Sequence, residues 1–296
     1  MACGRRVGMG LAVSMVATLA WGQSPLASFK DDLFRYPEPV ASRDEGAYLD
    51  VPYDEARDID RRDEIPERQV RRAYVDLSAG DAREETVTTS KGSVRVLKVG
   101  RDQGPRLIVA FMHGRSGDRR LGMNDWTFGG NFNRLKSLVS RAGGLYLTID
   151  GGALGADDAA RFTEALVTIA DRSPNAKLVL ACGSMGGALC WRAMGEPALA
   201  SRVSGLVLLG SNSTSAEFDR ALAARKGAPL PLVISQGSRD KVYPLASQER
   251  FYETVRQRPG YPIRFVAFDG GNHGTPIRMI DWRDALNWVI GNAGHQ

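Results

Sequence analysis

The run Leu178-Val179-Leu180-Ala181-Cys182-Gly183-Ser184-Met185-Gly186-Gly187 constrains what this chain can fold into more than any other feature. Its apolar residues read as a buried strand that breaks at a serine between small residues and resumes in a helical pattern. A chain that turns from strand to helix over so few residues holds the turning residue in a strained conformation, with its side chain free at the strand's carboxyl end. The residues two before and two after it must then be small. Gly186 meets that need, whereas Cys182 departs from the glycine common at its position and calls for a slightly wider turn.

Two downstream segments supply groups that could act with such a serine. In Leu232-Val233-Ile234-Ser235-Gln236-Gly237-Ser238-Arg239-Asp240-Lys241-Val242-Tyr243-Pro244, an apolar run ends at glycine and an aspartate follows in the loop. In Phe265-Val266-Ala267-Phe268-Asp269-Gly270-Gly271-Asn272-His273-Gly274, a strand ends in a glycine-rich turn that carries a histidine. The order in the chain is therefore Ser184, Asp240, His273. A serine hydroxyl is a poor nucleophile at neutral pH, so an imidazole must take its proton during attack and return it to the leaving group. A carboxylate on the other ring nitrogen fixes the tautomer and stabilises the imidazolium. Asp240 is assigned that place, and Asp269 competes for it.

Negative charge developing on a carbonyl oxygen also needs preorganised donors. One is the N–H of Met185, after the nucleophile. The other is sought in the loop closing Leu107-Ile108-Val109-Ala110-Phe111-Met112-His113-Gly114-Arg115-Ser116-Gly117-Asp118, where His113 and Gly114 form the turn and the Arg115 N–H faces the oxyanion. His113 is then structural.

From about Thr86 to Ala293 the chain resembles the α/β-hydrolases of the carboxylesterase, phospholipase and dienelactone-hydrolase type. The His113-Gly114 loop, the Ser184 elbow, the Gly237 to Pro244 acid loop and the Gly271-Asn272-His273 turn follow one another in that family's order. The resemblance implies hydrolysis of a small-molecule or polymer-borne ester, or a related acyl bond, through an acyl-enzyme, with no cofactor or metal. It does not imply a substrate, because the fold hosts many chemistries. Two other readings stay open: a peptidase of the prolyl-oligopeptidase type, and a catalytically silent binding protein on the same fold.

The fold class expected is α/β, a largely parallel sheet with helices on both faces. A hairpin of Glu85 to Ser90 and Ser93 to Val99 opens it. Strands follow near Leu107 to Met112, Leu145 to Ile149, Leu178 to Ala181, Gly205 to Leu209, Leu232 to Ser235 and Ile263 to Phe268. Helices are expected near Phe132 to Ala142, Ala156 to Asp171, Met185 to Met194, Ala216 to Arg225 and Ala246 to Arg256, with one last helix from Ile277 to Ile290. The connection from Gly210 to Pro231 has room for one short helix, so no large cap domain covers the site.

Residues 1–22 read as a signal peptide: Arg5 and Arg6, an uncharged stretch from Val7 to Leu19, then Ala20-Trp21-Gly22. That places the mature protein in the periplasm or outside the cell, without a stable membrane span. Removing two of the 39 basic residues leaves 37 − 34 = +3, which gives no argument for nucleic acid. Cys182 and Cys190 remain, expected as buried thiols with pairing the less favoured alternative. Residues 23–85 form an extension dense in mixed charge, as in Arg57-Asp58-Ile59-Asp60-Arg61-Arg62-Asp63-Glu64, expected to pair locally in solvent and to drape over the catalytic domain, 86–296, or stay partly disordered. Arg115, Arg119, Arg120 and Lys241 suggest a cationic rim, against which Asp118 and Asp125 are the expected partners. Trp126, Phe128 and Arg119 are the candidate substrate-binding residues.

Overall fold

The computed structural model of the protein describes Met1 and residues 26–294. Apart from Met1, the expected export signal lies outside the described residues. Twelve strands are described: β1 (Ala41–Arg43), β2 (Tyr48–Pro52), β3 (Asp63–Ile65), β4 (Gln69–Val70), β5 (Arg83–Thr89), β6 (Gly92–Gly100), β7 (Leu107–Met112), β8 (Leu145–Ile149), β9 (Lys177–Gly183), β10 (Val203–Leu209), β11 (Leu232–Gly237) and β12 (Ile263–Asp269). The α-helices are α1 (Asp31–Phe34), α2 (Asn131–Arg141), α3 (Ala156–Asp171), α4 (Gly186–Met194), α5 (Pro197–Ala200), α6 (Ser215–Ala224), α7 (Leu245–Arg256), α8 (Thr275–Met279) and α9 (Trp282–Asn292).

Ten strands form one sheet in the order β1-β2-β12-β11-β10-β9-β7-β8-β6-β5, while β3 and β4 pair separately. From β2 to β8 neighbouring strands run parallel, and β1, β6 and β5 pair antiparallel at the edges. Both faces are covered, which is why the central strands read as continuous apolar runs rather than alternating ones. Ile108, Ala110 and Met112 face a core built with Phe162, Leu189, Phe218 and Phe251 from α3, α4, α6 and α7. Leu107, Val109 and Phe111 face the other, with Phe132, Ile277 and Leu286 from α2, α8 and α9. Each such aromatic or leucine stabilises the fold by about 1.5–3 kcal/mol through burial. Between β10 and β11 there is only α6, and no helix among the described residues is long and apolar enough to cross a membrane.

The charged segment does more than drape. Its β2 extends the main sheet alongside β12, with Tyr48 stacked on Phe265 at 5.2 Å between ring centroids. Arg57 and Asp58 do pair locally, but with the carboxylate buried rather than in solvent. Asp63 makes a buried, two-pronged ion pair with Arg278 of α8, at 2.7 and 3.1 Å. Arg62 packs against the rings of both Phe34 and Tyr74. These charges point inward because each finds a carboxylate, a carbonyl or an aromatic face there, a partner that composition cannot display.

The expected last helix is two. Ile280 leaves helical geometry, and Asp281 starts α9 anew by accepting from the Arg283 and Asp284 N–H groups at 3.0 and 3.3 Å. Burial and, next, the neighbouring Asp284 push the Asp281 carboxyl up to about 6. A carboxyl raised in the fold adds stability below its unfolded value near 4 and loses it as pH rises through 6. Asp281→Asn keeps the cap and sheds the buried charge, so it is expected to stabilise the protein by about 1–3 kcal/mol at pH 8 and not at pH 4. Denaturant unfolding at both pH values reads this, and equal gains at the two would refute it.

Candidate active site

The turn after β9 is as tight as the sequence requires. Ser184 has φ 52°, a left-handed backbone rare for a residue with a side chain, and its N–H is held by the Leu209 carbonyl at 2.9 Å. A Cβ on Gly186 would lie 2.4 Å from the His113 carbonyl oxygen, so only glycine lets α4 start there. Cys182 is accommodated in a way the sequence left as the less favoured choice: it forms a disulfide with Cys190, tying the strand before the serine to the helix after it. Both cysteines are fully buried. Closing so short a loop is worth about 2.5 kcal/mol in chain entropy. Cys182→Ala with Cys190→Ala is therefore expected to lower the melting temperature by about 5 °C or more, and a calorimetric scan within 1 °C of the parent would show that the bond contributes nothing.

Three strand ends converge on the serine. The Ser184 hydroxyl donates to His273 Nε2 at 2.9 Å, and His273 Nδ1–H donates to Asp240 Oδ2 at 2.7 Å. The Asp240 carboxylate is shielded from solvent, while His273 stays partly open. Asp240 Oδ1 accepts from the Val242 and Tyr243 N–H groups at 2.7 and 3.0 Å, and Oδ2 accepts from Gln236 Nε2 at 2.7 Å. Every acceptor position facing the protein is thus used, which locks the carboxylate for the imidazole. Asp269 is exposed at the end of β12 and accepts from the Ser238 hydroxyl at 3.3 Å, away from the ring. Asp269→Asn is expected to leave turnover within about twofold of the parent in steady-state assays.

The loop after β7 meets the serine edge on. A Cβ on Gly114 would come within 2.8 Å of Ser184 Cβ, so the backbone, rather than a side chain, forms this wall. His113 is buried, donates from Nδ1 to the Gly114 carbonyl at 2.8 Å and accepts the Gly151 N–H on Nε2 at 2.9 Å. Its ring braces the loop. Among the described residues neither the Arg115 nor the Met185 N–H donates to a protein acceptor. The two side chains touch, Arg115 Nε to Met185 Sδ at 3.1 Å.

A cleft of about 520 Å³ opens over these groups, lined also by Leu121, Phe128, Val242, Tyr243 and Ile277. Of the candidate substrate residues it receives Phe128 alone. Trp126 is outside it, its carbonyl accepting the Val70 N–H. Arg119 is buried between Glu84 and Asp150, and Arg120 pairs with Asp118. Asp125 goes to Lys136 instead of an arginine. Of the expected rim only Arg115 lines the cleft; Lys241 is exposed and does not line it, and neither has a carboxylate partner among the described residues. Gln236, Tyr243, Leu121 and Ile277 were not foreseen; the Gln-Gly pair ending β11 was the one local signal for Gln236. Among the described residues no group of three or more His, Cys, Asp or Glu is arranged to hold a metal ion.

No family model matches the chain, and no curated protein does. Solved structures do. A feruloyl esterase module from Clostridium thermocellum, complexed with sinapinate, shares 15% identity at TM-score 0.60 over 78% of this chain and 96% of its own. A candidate α/β-hydrolase of unknown function from Agrobacterium tumefaciens shares 18% identity at TM-score 0.55, covering 72% of this chain and all of its own. The protein has the α/β-hydrolase fold. An esterase from Pyrococcus furiosus matches at 14% identity and TM-score 0.54, over 72% of this chain and 93% of its own. Identities this low speak for the α/β-hydrolase fold alone.

Proposed function

We propose that the protein is an exported serine hydrolase that cleaves a carboxylic ester through an acyl-enzyme. The observation that carries the reading is the unbroken relay from Ser184 through His273 to a buried Asp240, with 2.9 and 2.7 Å steps. In this reading His273 Nε2 takes the Ser184 proton as Oγ bonds the ester carbonyl carbon. The oxygen that becomes negative accepts from the Met185 and Arg115 N–H groups. His273 then passes its proton to the alcohol oxygen as the carbon–oxygen bond breaks. A water activated by the same ring releases the acid and restores the serine.

The open cleft supports access for bulky as well as small esters, since no cap domain follows β10. The buried Cys182–Cys190 disulfide supports an oxidising compartment, in line with the signal-like first 22 residues. Fluorophosphonate labelling mapped by mass spectrometry tests the reading, together with hydrolysis of matched ester and amide substrates. Labelling at Ser184 with ester turnover is expected. Folded protein that takes no label would sink it in favour of a binding role, and faster amide than ester cleavage would favour a peptidase.

A further inference from the structure

Beside the triad cleft is a second hollow of about 250 Å³, whose wall includes Tyr53 and Glu67 from the charged N-terminal segment and Asn272 next to His273. The two hollows share Phe128 and Gly274. Phe128 is held as a partition between them at a backbone cost: it has φ 51°, and Gly129 and Gly130 follow at 61° and 74°. Such a conformation persists for a bulky residue only where its surroundings fix it. Here Arg62, buried against Phe34 and Tyr74, donates from Nε to the Gly129 carbonyl at 2.9 Å. A Cβ on Gly129 would stand 2.6 Å from that nitrogen, so the arginine seats against bare backbone.

We infer that this hollow is the subsite for the leaving alcohol of the ester, and that it takes a neutral, hydroxyl-rich group. The inference rests on the serine hydrolase reading. Its first support is direction. The alcohol oxygen must lie within reach of His273 Nε2 to receive its proton, whereas the carbonyl oxygen turns to the Arg115 and Met185 N–H groups. The alcohol therefore departs on the side of His273, whose chain neighbours Asn272 and Gly274 line the second hollow.

Its second support is the chemistry of the wall. Among the described residues the Tyr53 hydroxyl has no hydrogen-bond partner and Glu67 makes no ion pair. Asn272 Oδ1 is occupied by the Gly274 N–H at 2.9 Å and the Thr275 hydroxyl at 3.3 Å, which leaves its amide N–H groups free to donate. Burial raises the Tyr53 hydroxyl to about 12, so it remains a donor across the working range. The wall carries one charge of each sign, Glu67 and Arg278, while the Glu55 and Asp58 carboxylates also act on Tyr53 and Arg57 pairs with Asp58, so no anion is favoured. A carboxylate acceptor, a hydroxyl and an amide donor set in a hollow that favours no anion match several hydroxyls on an uncharged ring.

The test compares two butyrate esters of like size, 6-O-butyryl methyl glucoside and cyclohexylmethyl butyrate, in full-length protein that takes fluorophosphonate at Ser184. The parent is expected to favour the glucoside by at least about tenfold in kcat/KM. Tyr53→Phe with Glu67→Gln is expected to cut that preference at least fivefold, with methyl glucoside itself losing its power to inhibit. Both changes are near-isosteric and partly solvent-facing, and circular dichroism reads their fold. Equal kcat/KM for the two esters, or a preference unmoved in the variant, overturns the subsite while the hydrolase stands. Absence of labelling and of turnover with either ester overturns the hydrolase reading and the subsite with it.

Discussion

Ser184→Ala is expected to lower ester turnover by on the order of 10⁴- to 10⁶-fold while leaving thermal unfolding close to that of the parent. The hydroxyl's hydrogen bond is to His273, and the turn is held by backbone, through the Ser184 N–H on Leu209, so its removal takes away the nucleophile and little else. His273→Ala should fall as far, and the double variant no further, because the two act as one unit. Asp240→Asn is expected to cost about 10³- to 10⁴-fold for a different reason. The Val242 and Tyr243 N–H groups still require an acceptor at the first oxygen, so the new amide N–H₂ is turned toward His273 Nδ1 and Gln236 Nε2. The imidazole then places its proton on Nε2, where it can no longer accept from the serine. Steady-state kinetics with fluorophosphonate labelling rates distinguish the cases, and near-parent activity in Asp240→Asn would refute the assigned acid.

The second large effect is on stability. Asp63→Ala is expected to cost about 3–5 kcal/mol, because it strands a buried guanidinium. Asp63 and Arg278 have side chains only 1% and 4% exposed, and Arg62 is close enough that burial, and next the charge on Arg278, bring its guanidinium down to about 10. With the carboxylate gone, two cations face each other in a dry site. Arg278→Met added to Asp63→Ala should recover much of the loss, since a buried pair replaced by apolar atoms of similar volume is often neutral or better. Urea unfolding of the three proteins reads this, and a loss under about 1 kcal/mol for Asp63→Ala alone would mean that water reaches the pair.

The body of the sheet was legible because buried parallel strands declare themselves as apolar runs: Leu107–Met112 and Leu145–Ile149 have the bounds expected, and β9, β10, β11 and β12 run only one to three residues further at their ends. The positions of Ser184, Asp240 and His273 could be read because each is tied to a strand end and a glycine turn. What could not be read depends on partners distant in the chain. Arg119 looks like a rim cation until Glu84 and Asp150 meet it, and Tyr48–Pro52 looks like part of a polar tail until β12 provides its ladder. The break at Ile280 has no glycine or proline to announce it, and Asp281 looks like any charged residue until it caps. The pairing of Cys182 with Cys190 needed the geometry of the elbow itself, which sets their Cα atoms 6.6 Å apart.

The neighbourhood of β2 has a consequence for how the molecule assembles. Its ladder joins Tyr48 to Phe265, positions 265 − 48 = 217 residues apart, so one of the earliest strands of the chain must wait for the last one to be made. Contacts of such long range carry a large loop-closure entropy and slow the search for the native topology. Until β12 is in place, β2 has no parallel partner and the Tyr53 side of the site cannot form. A chain that ends before Ile263 is then expected to lack more than a strand: β1 and β2 lose the edge against which they order, and the ribosome must pass β12 before any of the site can work.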